Sequence, residues 1–582
     1  MRPRRWVILT LVGSVLFGGQ LLVSTGAQAG RPDRPSRVLI VVLDQARPDT
    51  IQRYGMTNVQ RLMRDGVSFR GALVGHMAAE TVVSHNVITS GLFPGHMGWS
   101  NEVHRDVDGV LGAPGDYYVT SSMSCDQFKA LIEHGGYKKL PDYLDDRFGA
   151  ASKFVSIAQK RTAVCPAGPT SSAADGTATD PEDIIFQIRG SSAMSCDGAS
   201  GWRQPEDANP PAPRYFDLAT PCNRWWTWQA SPAYGTGSIL PGRIYPLEGN
   251  RFVPGRDPAH LGGDTWSADA AITVIQNDPG WRGMLVSLGG IDKLGHMWGP
   301  EDAASGPPGS DAEMRHLPFV AKNADVQVGR IVDALDDRGL LDETLIVITA
   351  DHAAQTGRRF HGRFDGFPPP DGNGCDPATG STGLRSDCNW YYGRDADEVY
   401  LDPSPAIAGF RDALTPPGGL TNLRFSYQDG HVAAWLNESS RERKLEAADA
   451  MLDLPDVIAS FRLNDAANEY RLFGTNRMRR AEHRWFARHG EELVDTMAAA
   501  YGPDVVGLLE TDVTYGVRGD HGGHNRLIQN IPMVFYGAGV GSRDSNRAMR
   551  LVDVLPTILE TMGIDYDEDD FGGKAVRLSR RR

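Results

Sequence analysis

The chain has 582 residues, 41% hydrophobic and 23% charged, which is ordinary globular composition: several domains, or one large α/β core with long insertions. Against 59 basic residues it carries 73 acidic ones, a formal net charge of −14, so its general surface repels nucleic acid and anionic membranes. An anionic substrate then needs a local positive site, most simply metal ions.

The N-terminus reads as an export signal. Arg2, Arg4 and Arg5 form a basic start and residues 6–23 an apolar stretch interrupted by Gly13, Gly18 and Gly19; Ala27-Gln28-Ala29 is a small-residue cleavage site. Cleavage after Ala29 is expected, with delivery to the periplasm or the extracellular space. Arg4-Arg5 leaves the Sec and twin-arginine routes both open. No later stretch is long and apolar enough to span a bilayer, so the mature protein is expected to lack a membrane span. Six cysteines follow the signal, none in a C-x-x-C pair. In an oxidising compartment that favours disulfides over a thiolate zinc site. Cys375 and Cys388 share one Gly/Pro/Asp-rich loop and are expected to bond; the partners of Cys125, Cys165, Cys196 and Cys222 stay open.

After a polar linker, VLIVVL at residues 38–43 is a continuous β-branched run closed by Asp44, the pattern of a buried parallel strand with a functional residue at its C-terminal end. Residues 58–65 read as a short helix. Thr81 then precedes Val82, Val83, Val87 and Ile88, a helix expected to stop at Ser90-Gly91. A hydroxyl in the first turn of a helix faces unpaired N–H groups and the positive end of the dipole, which suits an oxygen that must carry negative charge. Alone, Thr81 would be only an N-cap. Residues 153–159, KFVSIAQ, read as a strand leading into Lys160-Arg161.

From about 163 to 263 the regular pattern is lost in a stretch rich in Pro, Gly, Ser and Trp, including Trp225, Trp226 and Trp228. It is too long for a plain loop and reads as an insertion near the site. Strand pattern returns at 283–290 and delivers Asp292 and His296, four apart and so on one side of a helical or tightly turned segment. Val320, Ala324, Val328, Ile331 and Leu335 mark an amphipathic helix stopped by Gly339. TLIVITA at 344–350 is a further buried strand and ends in Asp351-His352. A second insertion spans roughly 353–513, loop-rich at first and helical with many Arg between 441 and 502. The core resumes with GDHGG at 519–523, a strand at 531–536 and a helix at 552–562. The expected organisation is a signal (1–29), three core parts (36–162, 264–352, 516–582) and two insertions (163–263, 353–515) forming a cap. Strands alternating with helices predict an α/β fold, a mostly parallel sheet sandwiched by helices.

Asp44, Thr81, Asp292, His296, Asp351, His352 and His521 all follow expected strands, start helices or sit in a Gly-rich loop. Carboxylate and imidazole donors without thiolates suit Zn²⁺, with Mn²⁺ or Fe as alternatives. At this point VVLDQARPD, ETVVSHNVITSGLFPGHMG with Asn101, GGIDKLGHMWGP, TLIVITADHAA and GDHGGHN resemble the alkaline phosphatase superfamily, above all its branch of nucleotide pyrophosphatases/phosphodiesterases and threonine-nucleophile phosphatases. The resemblance covers the core, not the insertions. It implies two divalent metal ions, one surrounded by Asp44, Thr81, Asp351 and His352, the other by Asp292, His296 and His521, with His524 as a rival last ligand. It also implies Thr81 as nucleophile through a phosphothreonine intermediate, Asn101 on a substrate oxygen, and a small phosphate ester as substrate. Lys160 matches a phosphate-contacting Lys of monoesterase relatives, which carry Arg where this chain has Thr162; Arg161 lies one position off. A Lys in this position is otherwise a solvated loop residue. His85 recurs in the family and is expected mainly to pack.

These matches favour phosphate monoesters, with phosphodiester or pyrophosphate cleavage as the alternative. A sulfatase would need a Cys or Ser convertible to formylglycine, which Thr81-Val82-Val83 does not supply. A metal-free binding protein would need lost ligands, and a phosphomutase fits poorly with export.

Overall fold

The computed structural model describes residues 34–168, 184–187, 262–298, 300, 316–357, 359–360, 424–427, 430–436, 439–515, 519 and 521–578. The export signal, most of the first insertion with its tryptophans, and Cys196, Cys222, Cys375 and Cys388 lie outside them, and so does the expected Cys375–Cys388 bond.

The core is an eight-stranded sheet of β1 (Arg37–Leu43), β2 (Val67–Leu73), β3 (Lys153–Ala158), β4 (Ile184–Gln187), β5 (Trp281–Leu288), β6 (Thr344–Thr349), β7 (Met533–Gly537) and β8 (Arg543–Arg550), in the order β8-β2-β7-β6-β1-β5-β3-β4. All neighbours run parallel except β7, antiparallel to both β2 and β6. Central β1 is buried at all seven positions. That is why its sequence is continuously aliphatic rather than alternating: neighbouring strands cover its edges and helices both its faces. Six helices matter for the site: α1 (Thr81–Ser90), α2 (Arg161–Ala167), α3 (Gly262–Asn277), α4 (Gly290–Trp298), α5 (His316–Asp337) and α6 (Val554–Met562). Helix α1 is buried at every residue and ends where Gly91 takes a left-handed φ of 67° that a side chain would resist.

Three elements depart from the sequence expectation. Helix α2 begins at Arg161, so regular structure continues past residue 163 before it ends at Gly168. Helix α3 starts inside the stretch read as patternless. The second insertion holds more than helices: Arg424–Tyr427, His431–Trp435, Val505–Leu509, Val457–Asn464 and Glu469–Thr475 form a five-stranded antiparallel sheet, in that order, beside helices Arg441–Leu452 and Arg480–Asp495. A disulfide joins Cys125, which opens helix Cys125–Gly135, to Cys165 on α2. Closing a loop of that length restricts the unfolded chain, worth about 4 kcal/mol in the chain-entropy account.

Candidate active site

Parallel strands deliver their C-terminal ends to one edge, and open α/β sheets gather ligands there. In the β1–β6 register Val42 lies opposite Thr349, so Asp44 and Asp351 leave their strands at one level. On the other side Leu43 pairs with Leu288, and the chain turns at once into α4, which carries Asp292 and His296 on one face. Strand β3 ends two residues before Lys160, and α1 places Thr81 at its first position. Elements from five places in the chain thus converge on one edge.

Within it, Thr81 Oγ1 lies 3.2 Å from His352 Nε2 and 3.3 Å from Lys160 Nζ. Lys160 forms ion pairs with Asp44 at 2.7 Å and with Asp292. His296 Nε2 is 3.0 Å from Asp292 Oδ1, His521 Nε2 is 4.0 Å from the same oxygen, and the His352 and His521 rings stack with centroids 3.7 Å apart. Lys160 is therefore no solvated loop residue. Its ammonium stands between two carboxylates and the threonine hydroxyl.

The electrostatics follow from burial. Asp44, Asp292 and Asp351 are all fully buried. Burial, followed by the charges of Asp292 and Asp351, pushes the Asp44 carboxyl well above the usual range. Burial acts the same way on Asp292, but His296 and Lys160 outweigh it and hold that group well below the range. His352 and His521 are kept neutral, first by burial and then by neighbouring imidazoles. Three buried acids face the Lys160 ammonium, while burial and Lys160 drive the Lys293 amine towards its neutral form and His352 and His521 are neutral; the cluster is short of positive charge, and its donors are oxygen and nitrogen, as divalent ions require. Two donor sets converge to within 4.8 Å: Asp44, Asp351 and His352, and Asp292, His352 and His521. His352 thus belongs to both, while His296 leans on Asp292. The residues present fit divalent cations.

Supporting residues complete the site, several of them with no local signal in the sequence. Gln45 turns the chain after β1 at a left-handed φ of 67°, donates through Nε2 to Asp292 Oδ1 at 3.3 Å and to the Gly519 carbonyl at 2.9 Å, and donates its backbone N–H to Asp351 Oδ1. The strain costs about 1–3 kcal/mol, which six buried aliphatic side chains in β1, each about 1.5–3 kcal/mol, easily hold. A Cβ on Gly295 would sit 1.7 Å from Gln45 Oε1, so any other residue there would displace the Gln45 carboxamide from its present contacts. His85 does more than pack. Its Nδ1 donates to the Thr81 carbonyl at 2.9 Å and lies 3.5 Å from Asp351 Oδ2, and Nε2 meets Ser287 Oγ at 3.1 Å. Asp264, at the start of α3, accepts from the Gly290 N–H at the start of α4, and burial pushes its carboxyl up to about 7.

Asn101 is fully buried on the chain before the short strand Val103–Asp106, with Nδ2 3.1 Å from His431 Nε2. The neighbouring Glu102 is near enough for Lys160 and Asp292 to act on its charge, and burial raises it to about 7. Arg161 donates to the Ser121 carbonyl. His524 is buried outside both converging sets.

Below α1, His76 is fully buried against Ser84 Oγ, and burial lowers its pKa to about 3. An unfolded histidine takes its proton near pH 6.5, so the stability His76 contributes is complete above that pH. It is lost as pH falls towards about 3, at up to about 1.4 kcal/mol per pH unit. Acid titration of thermal unfolding should therefore show a shallower slope in His76→Gln than in the parent between pH 6 and 4; parallel slopes would exclude this group as a source of acid lability.

The sequence profile of the type I phosphodiesterase / nucleotide pyrophosphatase family matches residues 38–113 and 251–415. Those spans hold Asp44, Thr81, Asn101, Asp292, His296, Asp351 and His352, and leave out Lys160 and His521. Among curated proteins none matches the chain. Among solved structures, wild-type alkaline phosphatase PafA superposes with a TM-score of 0.55 at 15% identity, covering 94% of this chain and 99% of that one. Murine ectonucleotide pyrophosphatase / phosphodiesterase 5, an inactive threonine-to-alanine variant in complex with AMP, gives 0.51 at 10% identity, covering 94% and 100%. The chain thus shares its fold with these structures and, over residues 38–113 and 251–415, the sequence pattern of the phosphodiesterase / nucleotide pyrophosphatase family, so it resembles the alkaline phosphatase superfamily in both.

Proposed function

We propose that the chain, a phosphoester hydrolase of this superfamily, cleaves phosphate monoesters in preference to diesters with Thr81 as its nucleophile. The observation that carries the reading is the place of Lys160, with its ammonium 3.3 Å from Thr81 Oγ1. A monoester dianion brings an additional charged oxygen beside the attacked phosphorus, and a fixed cation there favours it. A diester carries an ester group in place of that oxygen and gains nothing from the added charge.

The chain's own residues account for the steps. Thr81 Oγ1, at the positive end of α1 and beside Lys160, attacks phosphorus; the P–O bond to the leaving oxygen breaks, the proton lost by Thr81 is balanced by the one the departing alcohol takes up, and phosphothreonine forms. Water then attacks the same phosphorus, phosphate leaves, and Thr81 regains its hydroxyl. Asn101 and Lys160 hold the equatorial oxygens where charge gathers. His85 fixes the Thr81 backbone and Gln45 fixes Asp292. Divalent ions, most simply two Zn²⁺, would be held by Asp44, Thr81, Asp351 and His352 and by Asp292, His296 and His521, lowering the hydroxyl pKa and neutralising the transferred group when bound.

Phosphodiester or pyrophosphate cleavage is the second reading, favoured by the family profile over residues 38–113 and 251–415. Thr162 supports it too, since it leaves the phosphate one cation short, and Arg161 is engaged with Ser121. An oxidising, exported location accords with the Cys125–Cys165 bond and the N-terminal pattern. No helix among the described residues is long and apolar enough to cross a membrane.

Lys160→Ala decides between the readings. It should lower kcat/KM for an aryl phosphate monoester tenfold or more, about 1.4 kcal/mol, and leave a matched aryl diester nearly unchanged. Equal losses on both would show that Lys160 does not read the extra charge, and a parent enzyme that prefers the diester would move the assignment to the phosphodiesterase side.

A further inference from the structure

We infer that His431, from the sheet of the second insertion, is a positioning residue that sets the orientation of the Asn101 amide. The inference rests on the reading of Asn101 as the ligand of a substrate oxygen. Both side chains are fully buried, and Asn101 Nδ2 lies 3.1 Å from His431 Nε2. An amide nitrogen only donates, so Nε2 accepts and the imidazole carries its proton on Nδ1. Burial keeps this imidazole neutral, with a pKa lowered to about 3, so the acceptor stays available at any working pH. The amide has two N–H groups. His431 engages one, and among the described residues the other is offered only the Met497 sulfur at 3.9 Å, a weak acceptor that a phosphoryl oxygen readily replaces. Without an acceptor at position 431 the amide is free to rotate and present its carbonyl to an anionic oxygen, which repels it.

The backbone explains how a residue 330 positions away arrives there. His431 opens the strand His431–Trp435, which pairs antiparallel with Val505–Leu509. Gly430 bridges to Gly523, and a Cβ on Gly430 would lie 2.6 Å from the Gly522 oxygen and from Gly523 Cα. The insertion therefore packs backbone to backbone against the Gly-rich loop that delivers His521. Arg105, four residues after Asn101, pairs with Asp504 of the same insertion at 3.0 Å. The insertion thus grips the Asn101 segment at two points and couples it to one side of the site.

The test is a double-mutant cycle on the metal-loaded full-length protein, reading kcat and KM on an aryl phosphate together with thermal midpoints. His431→Leu removes the acceptor; His431→Gln offers Oε1 in its place. Expected are a tenfold or greater fall in kcat for His431→Leu, recovery of most of it in His431→Gln, and no more than a twofold further loss when His431→Leu is added to Asn101→Ala. If Asn101→Ala is impaired but the two losses multiply, or if Gln is as poor as Leu at equal thermal midpoint, His431 has only a structural role. Should His431→Leu fail to fold, the same cycle with His431→Gln and His431→Phe decides, Phe again lacking an acceptor. An Asn101→Ala enzyme with unchanged kcat/KM would instead overturn the role of Asn101 itself, and the inference with it.

Discussion

Thr81→Ala is expected to remove turnover of phosphoric esters while the fold and the metal content stay nearly intact. An imidazole nitrogen, a cation and a helix N-terminus all lie beside the hydroxyl: His352 Nε2 at 3.2 Å, Lys160 Nζ at 3.3 Å, and the first turn of α1. Replacing it by a methyl group leaves no oxygen to attack phosphorus. The structural cost is small, because alanine is a good helix former at the first position and the carboxylates and imidazoles remain. A loss of at least about a thousandfold, roughly 4 kcal/mol, is expected. Thr81→Ser, which keeps the oxygen, should retain measurable activity. Circular dichroism and elemental analysis guard against misfolding or metal loss. Retention of more than a few per cent of activity by the alanine variant would end the covalent mechanism.

Removing metal should be as severe. Asp44, Asp292 and Asp351 are buried together, and burial with mutual repulsion already drives the Asp44 carboxyl towards its protonated form. Lys160 supplies the ammonium seen beside Asp44 and Asp292, which leaves carboxylate charge in excess. Divalent cations relieve that excess, so chelation should abolish activity and lower the thermal midpoint, and added zinc should restore both. Saturation at a hundred times the dissociation constant contributes about 2.7 kcal/mol of stability. In Asp292→Ala the bound metal should fall from two ions to one. Full activity in protein shown by elemental analysis to be metal-free would refute the site, and a stoichiometry still at two in Asp292→Ala would refute the assignment of the second ligand set.

The core was legible because its residues obey local rules. Residues 38–43, 283–290 and 344–350 are aliphatic runs of strand length, and strands buried on both faces must look like that, with the chemistry placed at their C-terminal ends. Helix α1 announced its end through Gly91, and α5 its extent through a three-and-four spacing. Helix α3 escaped for the opposite reason. Trp266, Ala268, Ala270, Ala271, Val274 and Ile275 are all buried, so no polar face marks its period. The strands of the second insertion escaped because outer ones such as Glu469–Thr475 are partly exposed and mix charged with apolar residues.

The sequence by itself determined which groups are available: acids after strands, a threonine at a helix start, histidines in Gly-rich loops. Only the tertiary structure decided which of them meet. Lys160 reads from its neighbours as a loop residue. It becomes a partner of Thr81, Asp44 and Asp292 because β3 lies next to β5, which lies next to β1. Gln45 gains its role from a left-handed turn and from Gly295, some 250 residues on. His431 gains its role from an antiparallel sheet that no spacing announces. Each depends on strand order and on contacts across hundreds of residues, whereas periodicity and capping report only on the few residues around them.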